Sequence, residues 1–285
     1  MRASLVIPTL NEAASIAHVI RLFRTAAAEA NATVFQGDPI EWEVLVVDGA
    51  SADGTAAIAE REGARVIIER RRGYGRAYKT GFAAARGDVI ATADGDATYP
   101  VETVPRLVRR LQEEGLDFLT GNRMAYIDRT AMTTEHRIGN RVLNTFVALA
   151  YHRYLRDVPG RRLADSQSGF WVFRRGVLER VHLTQDGMAF SEELKIEVAL
   201  RGLRMLEIPI RYGERWGPPK LSSWRDGLGN LLFLIQKRFD VAREARTGAL
   251  SRLTTRRRIE DAIEGILATG GTGRWITVTR KRVRL

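Results

Sequence analysis

Residues 88–98 read Asp-Val-Ile-Ala-Thr-Ala-Asp-Gly-Asp-Ala-Thr, an apolar run over Val89–Ala93 that ends on two carboxylates, Asp94 and Asp96. A short uncharged run of this kind, bounded by a glycine turn, reads as a strand. Two carboxylates two residues apart at a strand end repel one another and lose solvation. Such a pair is stable mainly with a hard cation between them, and Mg²⁺ or Mn²⁺ accepts oxygen ligands of this kind. Taken alone the pair reads as an acidic turn. Its surroundings change that reading.

Upstream, the same unit recurs. Strand candidates are Ala3–Ile7, Glu43–Val47 and Arg65–Ile68, with Phe118–Thr120 after the acidic pair. Helical patterns fit between them: Ala13–Glu29, Thr55–Glu62, Gly75–Ala85 and Val101–Glu114. This alternation predicts an α/β fold, a doubly wound and mostly parallel sheet with helices on both faces. Polar and glycine-bearing residues follow the strands at Pro8–Glu12, Asp48–Gly54 and Asp94–Thr98. Open α/β sheets bind their ligands at those carboxyl ends.

The second half reads differently. Residues 136–154 carry Ile138, Val142, Phe146 and Leu149 on one stripe, with Leu143, Val147 and Ala150 beside it. Residues 224–246 carry Leu228, Leu231, Leu232, Ile235 and Phe239 at helical spacing, flanked by Lys237, Arg238 and Arg243. Both predict amphipathic helices. The first helix is expected in the core, and the second suits an interfacial helix on an anionic membrane, with packing against the first helix or a second subunit as the competing reading. Between them lie an apolar run at Gly169–Phe173, a helix near Glu192–Arg201 and a strand near Arg204–Tyr212, and the chain closes on a basic tail after Gly270–Gly273. The division expected is a catalytic domain over 1–222, with a donor half (1–120) and an acceptor half (121–222), then a helical and basic C-terminal extension over 223–285.

Charge follows the same division. Residues 1–120 hold 14 Lys and Arg against 17 Asp and Glu, while residues 121–285 hold 31 against 17. The excess positive charge therefore belongs to the second half and calls for an anionic partner. There is no cysteine, so thiolate metal sites, disulfides and cysteine nucleophiles are excluded. The four histidines show no metal-ligand spacing and read as structural, with His136 an acceptor-site candidate. No stretch approaches the ~20 apolar residues that span a bilayer, and the first residues lack a secretory core. The expected location is cytoplasmic, peripherally on the cytoplasmic face of a membrane.

Several segments taken together resemble family 2 glycosyltransferases with the GT-A fold, over roughly residues 3–240. They are Ile7-Pro8-Thr9-Leu10-Asn11-Glu12, Val46-Val47-Asp48-Gly49, Gly73-Tyr74-Gly75-Arg76 and the Asp94-Gly95-Asp96 strand end. Further on, the chain resembles the polyprenyl-phosphate branch of that family, which includes dolichol-phosphate mannose synthases and their glucosyl relatives. The matching residues are Gly121-Asn122-Arg123, His136-Arg137-Ile138-Gly139-Asn140, Asp165-Ser166-Gln167-Ser168-Gly169-Phe170, Ser191-Glu192-Glu193, Glu207-Ile208-Pro209-Ile210, Arg215 and Lys220-Leu221-Ser222. The chain departs from the branch at Gly49, where a second aspartate is usual, at Ser166-Gln167, at Pro219, and at Thr98, where some relatives place a metal-binding glutamine.

The resemblance implies a metal-dependent, inverting hexosyltransferase that moves mannose or glucose from a GDP- or UDP-sugar to a polyprenyl or dolichyl phosphate, with Mg²⁺ or Mn²⁺ as cofactor. Pro8, Leu10, Glu12, Asp48, Asp94 and Lys220 would bind the donor, and Asp94, Asp96 and Thr98 the metal. Asp96, Arg123 and Arg215 would be catalytic. Arg123, Arg137 and Asn140 would hold the acceptor phosphate, and Asp165 would contact sugar hydroxyls or order its loop. A phosphate acceptor is already an anion near neutral pH, so it needs positioning cations and no general base. Arg70-Arg71-Arg72 reads as an exposed basic turn. Two alternatives stand beside this reading: a soluble phosphorylated acceptor, and a nucleic-acid-binding protein. The second lacks aromatic residues spaced as a stacking platform or any recognition motif, so no nucleic-acid partner is expected.

Overall fold

The apolar runs become strands almost where the sequence places them: β1 (Arg2–Thr9), β2 (Glu41–Asp48), β3 (Arg65–Ile68), β4 (Val89–Thr92), β5 (Phe118–Ile127), β6 (Trp171–Arg174) and β7 (Met205–Tyr212). Helices α1 (Ile16–Thr33), α2 (Thr55–Arg61), α3 (Tyr74–Ala84) and α4 (Val104–Glu113) fill the first half. Helices α5 (Thr134–Ala150), α6 (His152–Leu155), α7 (Phe190–Leu200) and α8 (Ser223–Arg246) fill the second. A short antiparallel pair, β8 (Ile276–Val278) and β9 (Lys281–Val283), lies in the basic tail. The structure is a computed structural model that describes residues 1–127, 134–155, 163–217, 223–246, 276–278 and 281–283.

The seven strands form one sheet in the order β3-β2-β1-β4-β6-β5-β7. The pairs β2–β3, β1–β2, β1–β4 and β5–β7 are parallel, and β6 runs antiparallel to both β4 and β5. The chain moves outward from β1 through β2 to β3, then returns to place β4 on the other side of β1. That reversal opens a crevice at the carboxyl ends of β1 and β4, where open sheets of this kind take their ligands.

Period-two alternation feeds two cores. On β1, Ala3, Leu5 and Ile7 face a core with Val19, Ile20 and Phe23 of α1 and Val108 and Leu111 of α4. Val6 faces the opposite core with Tyr78 and Phe82 of α3, Leu194 of α7, Leu143 and Val147 of α5 and Leu234 and Val241 of α8. Every residue of α7 is buried, including Glu192, Glu193, Lys195 and Glu197.

Two expectations for the helices change. On α5 the apolar face expected in the core divides: Leu143 and Val147 are buried and Phe146 and Ala150 pack against them, while Ile138, Val142 and Leu149 are 60%, 55% and 73% exposed. Both sets share helical spacing, and only tertiary contact decides which faces inward. On α8, expected to begin an extension, Leu234 and Val241 are part of the second core, and Leu234 accepts a hydrogen bond at its carbonyl from the Tyr151 hydroxyl at 2.9 Å. Lys237 of α8 also reaches the buried Glu197 of α7 at 2.5 Å. Leu228, Leu232, Ile235 and Phe239 form the outward stripe of α8. No helix among the described residues is long and apolar enough to cross a membrane.

Candidate functional site

The loops after β1, β2 and β4 meet at the crevice. Each contains one non-glycine residue forced to positive φ: Asn11 at 53°, Ala50 at 58° and Ala97 at 66°. Such backbone costs on the order of 1–3 kcal/mol per residue and persists only where surrounding contacts hold it. Here they do. Asn11 donates its amide to Ser51 Oγ at 2.8 Å and accepts from the Ala52 amide at 2.9 Å, and the Glu12 amide donates to Thr55 Oγ1 at 2.8 Å. Asp48 accepts from Thr9 Oγ1 at 3.0 Å, from the Ser51 hydroxyl at 2.5 Å and from the Ser51 amide at 2.8 Å. At Gly49 a side chain would come within 3.3 Å of the Thr9 carbonyl and 3.4 Å of Leu10 Cδ1, a crowding that suits glycine in the place of the branch's second aspartate.

The acidic pair lies at the far edge of this lattice. Asp96 Oδ1 accepts from the Thr98 amide at 3.1 Å and the Thr98 hydroxyl at 2.6 Å, so Thr98 orients the carboxylate. Asp96 Oδ2 takes Arg215 Nη1 at 2.8 Å, and Arg215 Nη2 takes Glu12 Oε1 at 2.6 Å. Asp94 Oδ1 accepts at 3.4 Å from the hydroxyls of Tyr74 and Tyr78, one turn apart on α3. A Cβ at Gly169 would fall 2.0 Å from the Tyr74 hydroxyl oxygen, so the glycine makes room for that tyrosine above Asp94. Burial, with the neighbouring charge of Asp96 second, pushes the Asp94 carboxyl up to about 7. The charges of Arg123 and Arg215 act the other way, toward the ionised carboxylate, but do not outweigh burial and Asp96.

Those residues fit a divalent cation of the Mg²⁺ or Mn²⁺ type. Among the described residues no group of three or more His, Asp or Glu side chains forms a metal cage. One or two carboxylates are what Mg²⁺ usually takes from a protein, with phosphates and water completing the shell.

Arg123 is paired with a buried carboxylate. Its Nε and Nη2 bond Asp165 Oδ2 and Oδ1 at 2.7 and 2.8 Å, its amide bonds Oδ2 at 3.0 Å, and its guanidinium lies 5.4 Å from the Tyr212 ring centroid. Burial alone would push the Asp165 carboxyl up, but the charge and hydrogen bonds of Arg123 outweigh it and hold the group at about 2. The Nε–Nη2 face of Arg123 is thus committed to Asp165. Asp165 in turn orders its loop: its Oδ1 accepts from the Gln167 and Ser168 amides, its carbonyl accepts from buried Lys195 Nζ at 2.7 Å, and Glu207 holds the Ala164 and Asp165 amides.

Of the remaining residues, Pro8 and Leu10 are half-buried at the end of β1, and Arg137 is exposed on α5 while Asn140, one turn on, is buried. Lys220 lies outside the described residues. Arg70, Arg71 and Arg72 are exposed, as expected, and Arg71 pairs with Glu69 at 2.6 Å. Sequence reasoning missed the stack of Trp216 on His18 at 4.7 Å, and it quoted Tyr74 and Glu192 without a role for the tyrosines around Asp94 or for the buried Glu192, which accepts from Gln167 Nε2 at 3.3 Å. Only the Tyr74–Tyr78 spacing on a helix beside the acidic pair offered a signal.

Residues 4–181 match the family model described as Glycosyl transferase family 2. The low-salt glycan biosynthesis hexosyltransferase Agl6 of Haloferax volcanii is 32% identical over 234 residues, 81% of this chain but 52% of Agl6, so the chain spans about half the length of that relative. A dolichyl-phosphate hexose transferase of the same organism is 35% identical over 185 residues, 65% of this chain and 76% of that protein. Among solved structures, glucosyl-3-phosphoglycerate synthase from Mycobacterium tuberculosis in complex with Mn²⁺, uridine diphosphate and phosphoglyceric acid superposes with a TM-score of 0.60 at 22% identity. The match covers 82% of this chain and 78% of that one, a likeness of fold. The mixed seven-stranded sheet is accordingly the GT-A type of α/β fold, and the sequence match over most of its length makes the chain a member of glycosyl transferase family 2.

Proposed function

We propose that the chain transfers a hexose, with inversion, from a nucleoside-diphosphate sugar to a polyprenyl phosphate at an anionic membrane surface. For the donor, the supporting observation is the lattice of Glu12, Asp48, Asp94 and Asp96 at the ends of β1, β2 and β4. Asp48 and Glu12 seat the nucleoside, and Asp94 and Asp96 face the diphosphate. A divalent cation held at Asp96 would neutralise the departing diphosphate. Arg215 adds positive charge where phosphate gathers. Arg123 acts through Asp165, which shapes the Asp165–Gly169 loop beside Asp94.

The lipid acceptor rests on one observation: α5 and α8 lie side by side and each leaves an apolar stripe exposed, Ile138, Val142 and Leu149 on one and Leu228, Leu232, Ile235 and Phe239 on the other. Exposed arginines, Arg137, Arg141 and Arg243, accompany them. Apolar stripes with basic flanks suit the interface of an anionic bilayer. The dolichyl-phosphate hexose transferase of H. volcanii supports a lipid phosphate by its name. A soluble phosphorylated acid is the second reading, favoured by the fold neighbour solved with phosphoglyceric acid.

One experiment separates them. Radiolabelled UDP-glucose and GDP-mannose are offered with Mn²⁺ and either polyprenyl phosphate in liposomes or 3-phosphoglycerate. Label in the organic phase, lost in Asp96→Asn, supports the lipid acceptor. Label only in the aqueous phosphoglycerate fraction overturns it.

A further inference from the structure

Asp96 has two carboxylate oxygens, and both are in use. Oδ1 belongs to Thr98, while Oδ2 is bound by Arg215 at 2.8 Å. The same guanidinium holds Glu12 at 2.6 Å. Asp96 and Glu12 are buried, and among the described residues Arg215 is a cation that bridges the two. A metal ion approaching Asp96 Oδ2 would meet a positive group already in place, and two cations cannot share that lone-pair direction at hydrogen-bond range without strong repulsion.

The way Arg215 is held differs from the way Arg123 is held. Arg123 makes a two-point pair with one wholly buried carboxylate. Arg215 makes one contact to each of two carboxylates, its side chain is 26% exposed, and its Nε is buried without a partner. Its strap, Gly213–Gly217, is fastened by the Gly213 amide to the Thr98 carbonyl at 2.9 Å and by the Trp216 amide to the Asp96 carbonyl at 3.1 Å. Trp216 stacks on His18 of α1, and Gly217 follows at a φ of 101°. These contacts, the ones seen among the described residues, are exchangeable and can be released without opening the core.

We propose that Arg215 is the resident counter-ion of the Asp96–Glu12 pair and that the divalent cation arriving with the nucleotide takes its place, freeing the strap and turning the guanidinium toward phosphate. This rests on reading the crevice as the donor site. It places donor and metal before the acceptor, because the cation that arrives with the nucleotide is what displaces Arg215. It also makes metal affinity and strap position reciprocal: whatever factor the guanidinium subtracts from metal binding, metal binding subtracts from strap closure.

The test uses Mn²⁺ alone, with free Mn²⁺ followed by electron paramagnetic resonance, on wild type, Arg215→Gln and Arg215→Lys. Circular-dichroism melts check the fold, and Arg215→Lys retains a cation should the neutral variant not fold. Without nucleotide, Arg215→Gln is expected to bind Mn²⁺ at least about fivefold tighter than wild type, with Arg215→Lys between them. Adding UDP or GDP closes most of that gap, because phosphate gives the wild-type guanidinium another partner. Mg²⁺ with the same nucleotide should change the tryptophan emission of wild type but not of Trp216→Phe. Wild type that binds Mn²⁺ and nucleotide, beside an Arg215→Gln of equal or weaker Mn²⁺ affinity, overturns the exchange and leaves the donor site standing. Absence of Mn²⁺ binding by every form, with or without nucleotide, overturns both.

Discussion

The Arg123 guanidinium grips Asp165 through two parallel hydrogen bonds, Nε to Oδ2 at 2.7 Å and Nη2 to Oδ1 at 2.8 Å, and the carboxylate has no exposure to water. The pair joins β5 to the loop that precedes β6, 42 residues later. A buried ion pair gains little over an apolar substitute, but breaking one by removing a single partner strands the other charge. Arg123→Ala should therefore lower stability by about 3–5 kcal/mol, visible as a drop in melting temperature. Asp165→Asn should do the same. A loss of acceptor use with an unchanged melt would place Arg123 at the phosphate instead.

The same pair illustrates how far the sequence could be read. Strands β1 to β4 and the loops after them were legible because period and punctuation are local: apolar runs, then Pro8–Glu12, Asp48–Gly54 and Asp94–Thr98. Charge partners were not local. Arg215 meets Glu12 across 203 residues, and nothing in either neighbourhood announces the other. The division of the α5 face was illegible for a related reason. Ile138–Val142–Leu149 and Leu143–Val147 both obey helical spacing, and the choice between them is made by α8, which covers the second set.

Asp94 gives a pH prediction. Its folded value is raised, mainly by burial and then by Asp96, to about 7. A cation needs the ionised carboxylate, so binding must expel the proton that Asp94 still carries below that value. Mn²⁺ with nucleotide should bind more weakly at pH 6 than at pH 8. At pH 6.5, calorimetry in buffers of different ionisation heat should register proton release. Asp94→Asn should abolish the release. Equal heats in the two buffers for wild type would remove Asp94 from the cation site.

Glu192 gives a second, independent of ligand. Burial raises its carboxyl to about 8, against an ordinary 4.5, and its Oε2 has no partner. The folded chain therefore binds a proton that the unfolded chain has already lost, so this group's stabilising contribution is full below about 4.5 and fades as pH rises through 8. Lys195 beside it is lowered by burial to about 8, so its own contribution acts in the range above that value. Glu192→Gln cannot ionise. From pH 5 to pH 8 the variant should gain on wild type by on the order of 1 kcal/mol or more, read from parallel denaturant melts. A constant difference across that range would mean that Glu192 ionises in place, with a partner.

The outward faces of α5 and α8 test where the chain works. Leu232, Ile235 and Phe239 lie on the exposed side of α8, Phe239 at 71%, while Leu234 between them is wholly buried. A helix that serves only the core has no use for the first three. A bilayer does: their burial in the headgroup boundary adds to the attraction of anionic lipid for basic residues, roughly 1 kcal/mol for each that reaches the surface. Wild type should therefore float with anionic liposomes at low salt and less so as salt screens the attraction. Changing Leu232, Ile235 and Phe239 together to serine should abolish flotation with little change in the melt. Leu234→Ala, the internal control, should lower stability by about 2–5 kcal/mol, whatever it does to flotation. If the triple variant melts with the core control, these side chains pack against something the fold already contains. If it stays folded and still floats, the bilayer is met by another face. If wild type never floats at low salt, the phosphorylated acceptor is a soluble one.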